Sequence, residues 1–179
     1  MEIKKIFKKL LISIAIVLIV FAAIFTALYY MGSSKYGYSD DQMEAVEELG
    51  KPDSFVITFP KDENGNIDRY EEWHFHKYGV MAGFYNGEST LFDEIDYLPE
   101  NTVPASYEPG QFDRDMKWAD LKQKLTDKVW DKASDYLPEL FSGTDVDLYY
   151  SDQIVVGIEN STNNVVYIET MVLMPEEQE

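Results

Sequence analysis

Residues Tyr70–Gly79 read YEEWHFHKYG. Alternate residues of a β-strand share a face. Glu71, Trp73 and Phe75 therefore point one way, and Glu72, His74, His76 and Tyr78 the other. Trp73 and Phe75 make that side a core face, while the histidines lie on the wetter one, the pattern of a half-buried strand. The same reading extends outward. Upstream, SFVITFP (Ser54–Pro60) alternates Phe55, Ile57 and Phe59, and KDENGNID (Lys61–Asp68) carries Asn64-Gly65, a hairpin turn signal. Downstream, VMAGFYN (Val80–Asn86) is a third strand, and Asn86-Gly87 turns the chain into STLFDEIDYLP (Ser89–Pro99). A meander of three or four antiparallel strands results.

A short helix precedes the meander. In SDDQMEAVEELGKPD, Ser39 is an N-cap with Gln42 completing a capping box, and Asp40 and Asp41 suit the first turn. Met43, Val46 and Leu49 share a face, Gly50 fits the C′ position, and Pro52 blocks continuation. After the proline-bearing connection PENTVPASYEP (Pro99–Pro109), Asp115 is a candidate cap for a helix whose stripe is Trp118, Leu121, Leu125 and Val129. A second short helix is expected up to Leu137, and Pro138 ends it. VDLYYSD, QIVVGIEN and NVVYIETMVLM then read as three more strands. The segment Tyr78–Gly87 lies over Asp152–Ser161, matching Gly83 with Gly157 and Asn86 with Asn160. A pair of helix-plus-meander pseudo-repeats is one account of this match, and the general likeness of any two meanders is the other.

The chain begins differently. Leu10–Tyr30 contains no charged residue. At ~1.5 Å per helical residue it spans ~31 Å, close to the ~30 Å of a bilayer's hydrocarbon. Lys4, Lys5, Lys8 and Lys9 precede it and only Lys35 follows closely, so the positive-inside bias holds the amino terminus in the cytoplasm. The expected organisation is a basic cytoplasmic segment (1–9), a single transmembrane anchor (10–31), a linker (32–38) and an extracytoplasmic domain (39–179) with halves of about 39–99 and 110–175. The expected fold class is α+β: an N-terminal transmembrane helix, then short helices packed on an antiparallel sheet. The expected location is the cell membrane, in a bacterium, with the carboxy-terminal domain outside.

Charge and cysteine narrow the function. With four lysines and one glutamate in residues 1–31, the remainder holds 11 basic and 32 acidic side chains, a balance of −21. Such a domain repels nucleic acid and anionic headgroups. No cysteine is present, which removes disulfides, thiolate chemistry and the lipidated cysteine of a lipoprotein.

AVEELGKPDSF (Ala45–Phe55) followed by EEWHF (Glu71–Phe75) resembles the pattern of the small BamE/SmpA outer-membrane assembly lipoproteins and of β-lactamase inhibitor protein-like (BLIP-like) domains. Val46, Leu49, Gly50, Pro52, Trp73 and Phe75 carry the likeness. It implies short helices packed on an antiparallel sheet, and a protein that works by binding other proteins without catalysis. The missing lipidation cysteine moves the expectation from an outer membrane to the outer face of a single cytoplasmic membrane.

The search for chemistry returns little. His74 and His76, with Glu72, are candidate ligands for zinc, but a catalytic zinc usually takes three good protein ligands and no third histidine exists. Asp62, Asn64 and Asn66 are spaced like the start of a calcium loop, yet Ile67 and Trp73 stand where Gly and a bidentate Glu belong. No Gly-x-Ser-x-Gly and no phosphate-cradling glycine loop appears. Zinc or copper at the histidines and calcium at the Asp62 loop are the cofactors the residues raise. Tyr85, Tyr149 and Tyr150 are candidates for a recognition surface, since tyrosine joins contact area to a polar tip. The expected function is a non-catalytic, membrane-anchored binding or accessory domain of the cell envelope with an envelope protein as partner. The alternative is a metal-binding envelope enzyme or sensor using the His-x-His strand.

Overall fold

A computed structural model of the chain describes residues 37–99, 101–133 and 144–174. The segments read as basic leader, anchor and most of the linker lie outside the described residues; of the second short helix expected up to Leu137, residues from 134 on lie outside them, and Asp131–Lys132 before them is strand. Chain contacts divide the protein between Gly37 and Tyr38, and the unit beginning at Tyr38 holds every element below.

Helix α1 (Asp40–Leu49) opens the unit. Ser39 Oγ accepts from the Gln42 N–H at 3.2 Å while Gln42 Oε1 accepts from the Ser39 N–H at 3.1 Å, a complete capping box. Four antiparallel strands follow: β1 (Ser54–Thr58), β2 (Tyr70–Phe75), β3 (Val80–Tyr85) and β4 (Glu88–Glu94). The connection beyond β4 holds a single 3₁₀ turn (Pro109–Gln111) and leads to α2 (Trp118–Lys124). Then come β5 (Asp131–Lys132), β6 (Val146–Ser151), β7 (Ile154–Glu159) and β8 (Asn164–Thr170). All eight strands form one sheet in the order β4-β3-β2-β1-β8-β7-β6-β5, two meanders joined by antiparallel pairing of β1 with β8.

This corrects the expected fold class. The described chain is mostly one eight-stranded antiparallel sheet with only two α-helices, of ten and seven residues. Among the described residues no helix is long and apolar enough to cross a membrane. The helix expected from Asp115 also shrinks at both ends. Asp115 takes a positive φ of 60° and Lys117 is the N-cap. At the other end Leu125 leaves helical geometry, and Asp131 and Lys132 pair with Tyr150 and Tyr149. Val129, assigned to the buried stripe by its spacing, is 78% exposed. Helical periodicity continued past Leu125, but strand pairing at the sheet edge took the backbone, and tertiary context overrides local pattern in this way.

Matched glycines stand at corresponding bends of the two meanders. The register shifts between Gly83 and Phe84 in the β3–β4 pair and between Gly157 and Ile158 in the β7–β8 pair. A Cβ on Gly157 would come within 2.9 Å of Tyr167 Cβ, and one on Gly83 within 3.0 Å of Leu91 Cβ. At Gly157 a side chain would force a neighbour to shift, and at Gly83 it would press tightly on Leu91.

The core lies on one face of the sheet. Phe55, Ile57, Trp73, Phe75, Phe84, Val156 and Ile168 from the strands meet Tyr107, Phe112, Met116 and Leu121 from the connection and α2. Inside it sits a charged group, the Glu71 carboxylate, 1% exposed. Its Oε1 accepts from Gln42 Nε2 at 2.6 Å and from Arg69 Nε at 2.7 Å. Its Oε2 accepts from Trp73 Nε1 and from Arg69 Nη2, each at 3.0 Å. Arg69 also donates to the carbonyls of Pro109 and Phe112. A buried carboxylate is tolerated only when its lone pairs are satisfied, and here four donors satisfy them. Removing the carboxylate strands Arg69 and Gln42, so Glu71→Ala should cost about 3–5 kcal/mol of stability in urea unfolding. Pairing that change with Gln42→Ala should cost clearly less than the two separate losses together; strict additivity would mean the network is not a unit.

Candidate functional site

Strand alternation leaves a second sheet face opposite the core. Register places Val56, Glu72, His74, Met81 and Tyr85 of the first meander there, with Leu148, Tyr150, Val155, Tyr167 and Glu169 of the second. A small apolar cluster of Leu148, Val155 and Tyr167 is buried on it, with Val56, Ala133 and Val146 against it. Around that cluster the surface is tyrosine and acid. Tyr85 and Tyr150 are 43% and 45% exposed. The Tyr85 hydroxyl donates to Asp68 Oδ2 at 2.5 Å, which raises the phenol's pKa and, with Asn86, lowers that of Asp68. The Tyr167 hydroxyl donates to Glu169 Oε2 at 2.7 Å. Among the described strands the only Lys or Arg is Lys132, whose ammonium bonds Asp147 on the core side, so no cation stands on a strand position of this open face.

The three tyrosines read from sequence separate here. Tyr85 and Tyr150 reach the open face. Tyr149 points the other way and packs on Trp118, ring centroids 5.0 Å apart, beside the core. Adjacent strand residues face opposite sides, so Tyr149 and Tyr150 cannot share a surface.

The histidines sit at the end of β2. Their ring centroids are 5.8 Å apart. Between them lies a hydroxyl: Ser54 Oγ is 3.2 Å from His74 Nδ1 and 3.5 Å from His76 Nε2. His76 Nδ1 is 3.3 Å from the Asp96 carbonyl oxygen. Glu72 shares their side of the strand, but no group of three or more His, Cys, Asp or Glu among the described residues is arranged to hold a metal. The Asp62 loop uses its oxygens internally: Oδ1 accepts from the N–H groups of Asn64 and Asn66, and Oδ2 from Asn66 Nδ2, each at 2.8 Å. That is turn chemistry, and it explains the calcium-like spacing.

Beside His76 opens a groove of about 720 Å³, walled by Asp53, Lys77, Tyr97, Thr102 and Val172 among others. Sequence reading missed it, because it forms where the 95–105 connection crosses the ends of β1, β2 and β8. The proline-bearing stretch from Pro99 was its only signal. Asp53 is tied in by backbone bonds to His74 and Ala105, and its Oδ2 accepts the Lys77 N–H at 3.3 Å. The groove has both charge signs and apolar walls, without a nucleophile–base–orienter set inside it.

Compared with known proteins, the chain matches no family model, no curated protein and no solved structure. The resemblance to BamE/SmpA-like and BLIP-like domains therefore rests on its own residues, from Val46 to Phe75.

His74 supplies a pH handle. Burial, reinforced by His76, holds its pKa below the ordinary imidazole value of 6.5, with Glu72 pulling the other way. The unfolded chain binds that proton more readily, so the stability His74 contributes is present above pH ~6.5 and is lost as pH falls through the lower folded value. Denaturant midpoints should fall between pH 7.5 and 5.5, and fall less steeply in His74→Gln. Identical slopes would show that His74 does not couple to folding.

Proposed function

We propose that the chain is a non-catalytic binding or accessory domain of the cell envelope, held at a membrane through residues 10–31 and engaging an envelope protein with its open sheet face. The observation that carries this reading is the one-sided sheet. One face is committed to the core, and the other presents accessible Tyr85 and Tyr150 among carboxylates and without a strand cation. Tyrosine is enriched in recognition surfaces because it combines contact area with a hydrogen-bonding tip at small entropic cost. The uncharged run Leu10–Tyr30 and the lysines before it support membrane attachment with the acidic domain outside.

The geometry favours recognition over chemistry. Ser54, His76 and the Asp96 carbonyl form a hydrogen-bonded row, but Ser54 is 4% exposed, so a substrate has no approach to its hydroxyl.

The test uses the full-length protein in its native membrane, with a photocrosslinking residue at position 85, 150 or 129. Positions 85 and 150 should give a common adduct, and position 129, exposed but outside the open face, should not. Equal adducts from all three positions, or none from 85 and 150, would remove the open face as the binding surface. Protease added to intact cells should digest the acidic domain; protection there, with digestion after lysis, would reverse the assigned side of the membrane.

A further inference from the structure

The sheet has two edges, and they differ. One is β5, two residues long. The other is β4, seven residues long, paired among the described residues only with β3 and exposed at every position. A long free edge exposes backbone donors and acceptors to any further strand.

The outward groups on β4 follow from its register. The Ile95 N–H donates to the Gly79 carbonyl at 2.9 Å, so alternation makes Asp93–Met81 and Leu91–Gly83 the hydrogen-bonded pairs. Phe92 and Glu94 then direct their N–H groups away from the sheet. Across the register shift, the Asn86-Gly87 turn, with φ of 52° and 91°, closes on Tyr85 and Glu88 and leaves Ser89 outward. Two of these three amides already hold carboxylates. The Ser89 N–H donates to Asp41 Oδ2 at 2.7 Å, and the Glu94 N–H to Asp93 Oδ1 at 2.8 Å. Each carboxylate oxygen occupies the place where the carbonyl of a ninth strand would sit.

Charge selects which strand fits. From Tyr78 to Asp113 there is no lysine or arginine, and α1 beside β4 carries Asp40, Asp41, Glu44, Glu47 and Glu48 with no cation. A second copy is a poor occupant. Self-pairing brings together two strands that each carry Glu88, Asp93 and Glu94 and no cation, and like charges across a strand pair repel.

We propose that β4 takes up an extended, lysine- or arginine-bearing segment of another protein as a ninth strand. The incoming carbonyls replace Asp41 and Asp93 on the outward amides, and the incoming cations pair with the released carboxylates and with Glu88 and Glu94. A neutral or acidic strand displaces the same carboxylates and returns no cation to them, so the edge is closed to it. Main-chain bonds give affinity in this mode and charge gives selection. The site is separate from the open face, and neither Tyr85 nor Tyr150 takes part.

The test uses full-length protein in non-ionic detergent with a synthetic Lys-Val alternating decapeptide and its Glu-Val counterpart. The Lys-Val peptide should bind in a salt-weakened manner and slow hydrogen exchange across Glu88–Glu94, and the Glu-Val peptide should not bind. Phe92→Pro removes an outward N–H that the β3 ladder does not use, so it should keep the fold and abolish that protection. Glu88→Lys with Glu94→Lys, both on exposed positions, should weaken binding roughly tenfold, and it carries the test alone if the proline variant does not fold. Protection mapping to another surface, equal binding of both peptides, binding unchanged in the Lys pair, no binding at all, or a β4-mediated dimer of the protein alone would each overturn the proposal.

Discussion

The Glu71 carboxylate is the constraint around which the unit is organised. A carboxylate with 1% exposure is tolerable only with its lone pairs filled, and here its four donors and the groups that hold them tie three parts of the chain together. Gln42 brings α1, Arg69 and Trp73 bring β2, and through Arg69 the carbonyls of Pro109 and Phe112 bring the connection between the meanders. The same residues stand against the largest core side chains. Trp73 packs on Phe84 and Tyr38, with centroids 4.7 and 5.2 Å apart, so the polar network sets where the aromatic core seats. An apolar core tolerates several packings; a carboxylate that needs four donors tolerates far fewer.

Among the described residues, both helices and the connection lie on one side of the sheet, and neither helix covers the other side. It is not uniformly polar, because Leu148, Val155 and Tyr167 form a small buried cluster on it. Tight approach at Gly157 belongs to that cluster, since Tyr167 Cβ occupies the space a side chain would need. What that face exposes is Tyr85 and Tyr150 with carboxylates beside them, while the apolar cluster itself is buried.

Acidity is distributed with purpose in this fold. Carboxylates with structural work are paired: Glu159 with Lys61 and Thr162, Asp147 with Lys132, Asp152 with Lys128. Lysine 61 and Thr162 hold Glu159 below the usual carboxylate range. Exposed pairs of this kind contribute little each. Neither α1 nor β4 contributes a lysine or arginine of its own, and two of the acids there, Asp41 and Asp93, sit on edge amides.

Much of the architecture was legible in the sequence. The capping box at Ser39, the alternation in β1 to β3, the Asn86-Gly87 turn and the core pair Trp73 and Phe75 are all local, and local periodicity reports them directly. Dominance of the sheet was not legible, because the stripe from Trp118 to Val129 is helical by spacing while the helix ends at Lys124 and β5 follows at Asp131–Lys132. Of the three tyrosines singled out in the sequence, Tyr85 and Tyr150 are exposed on the second sheet face and Tyr149 turns to Trp118, because adjacent strand residues face opposite sides; the groove beside His76 had no local signal but the proline-bearing stretch from Pro99. What the sequence determined by itself is which residues alternate, cap and turn, and where charge is absent. What only tertiary structure decided is the strand order, the burial of Glu71, the long edge at β4 and the hydroxyl between the histidines. Those depend on residues distant in the chain, 29 apart for Gln42 and Glu71 and 115 apart for Phe55 and Thr170, and no local pattern encodes a contact at that range.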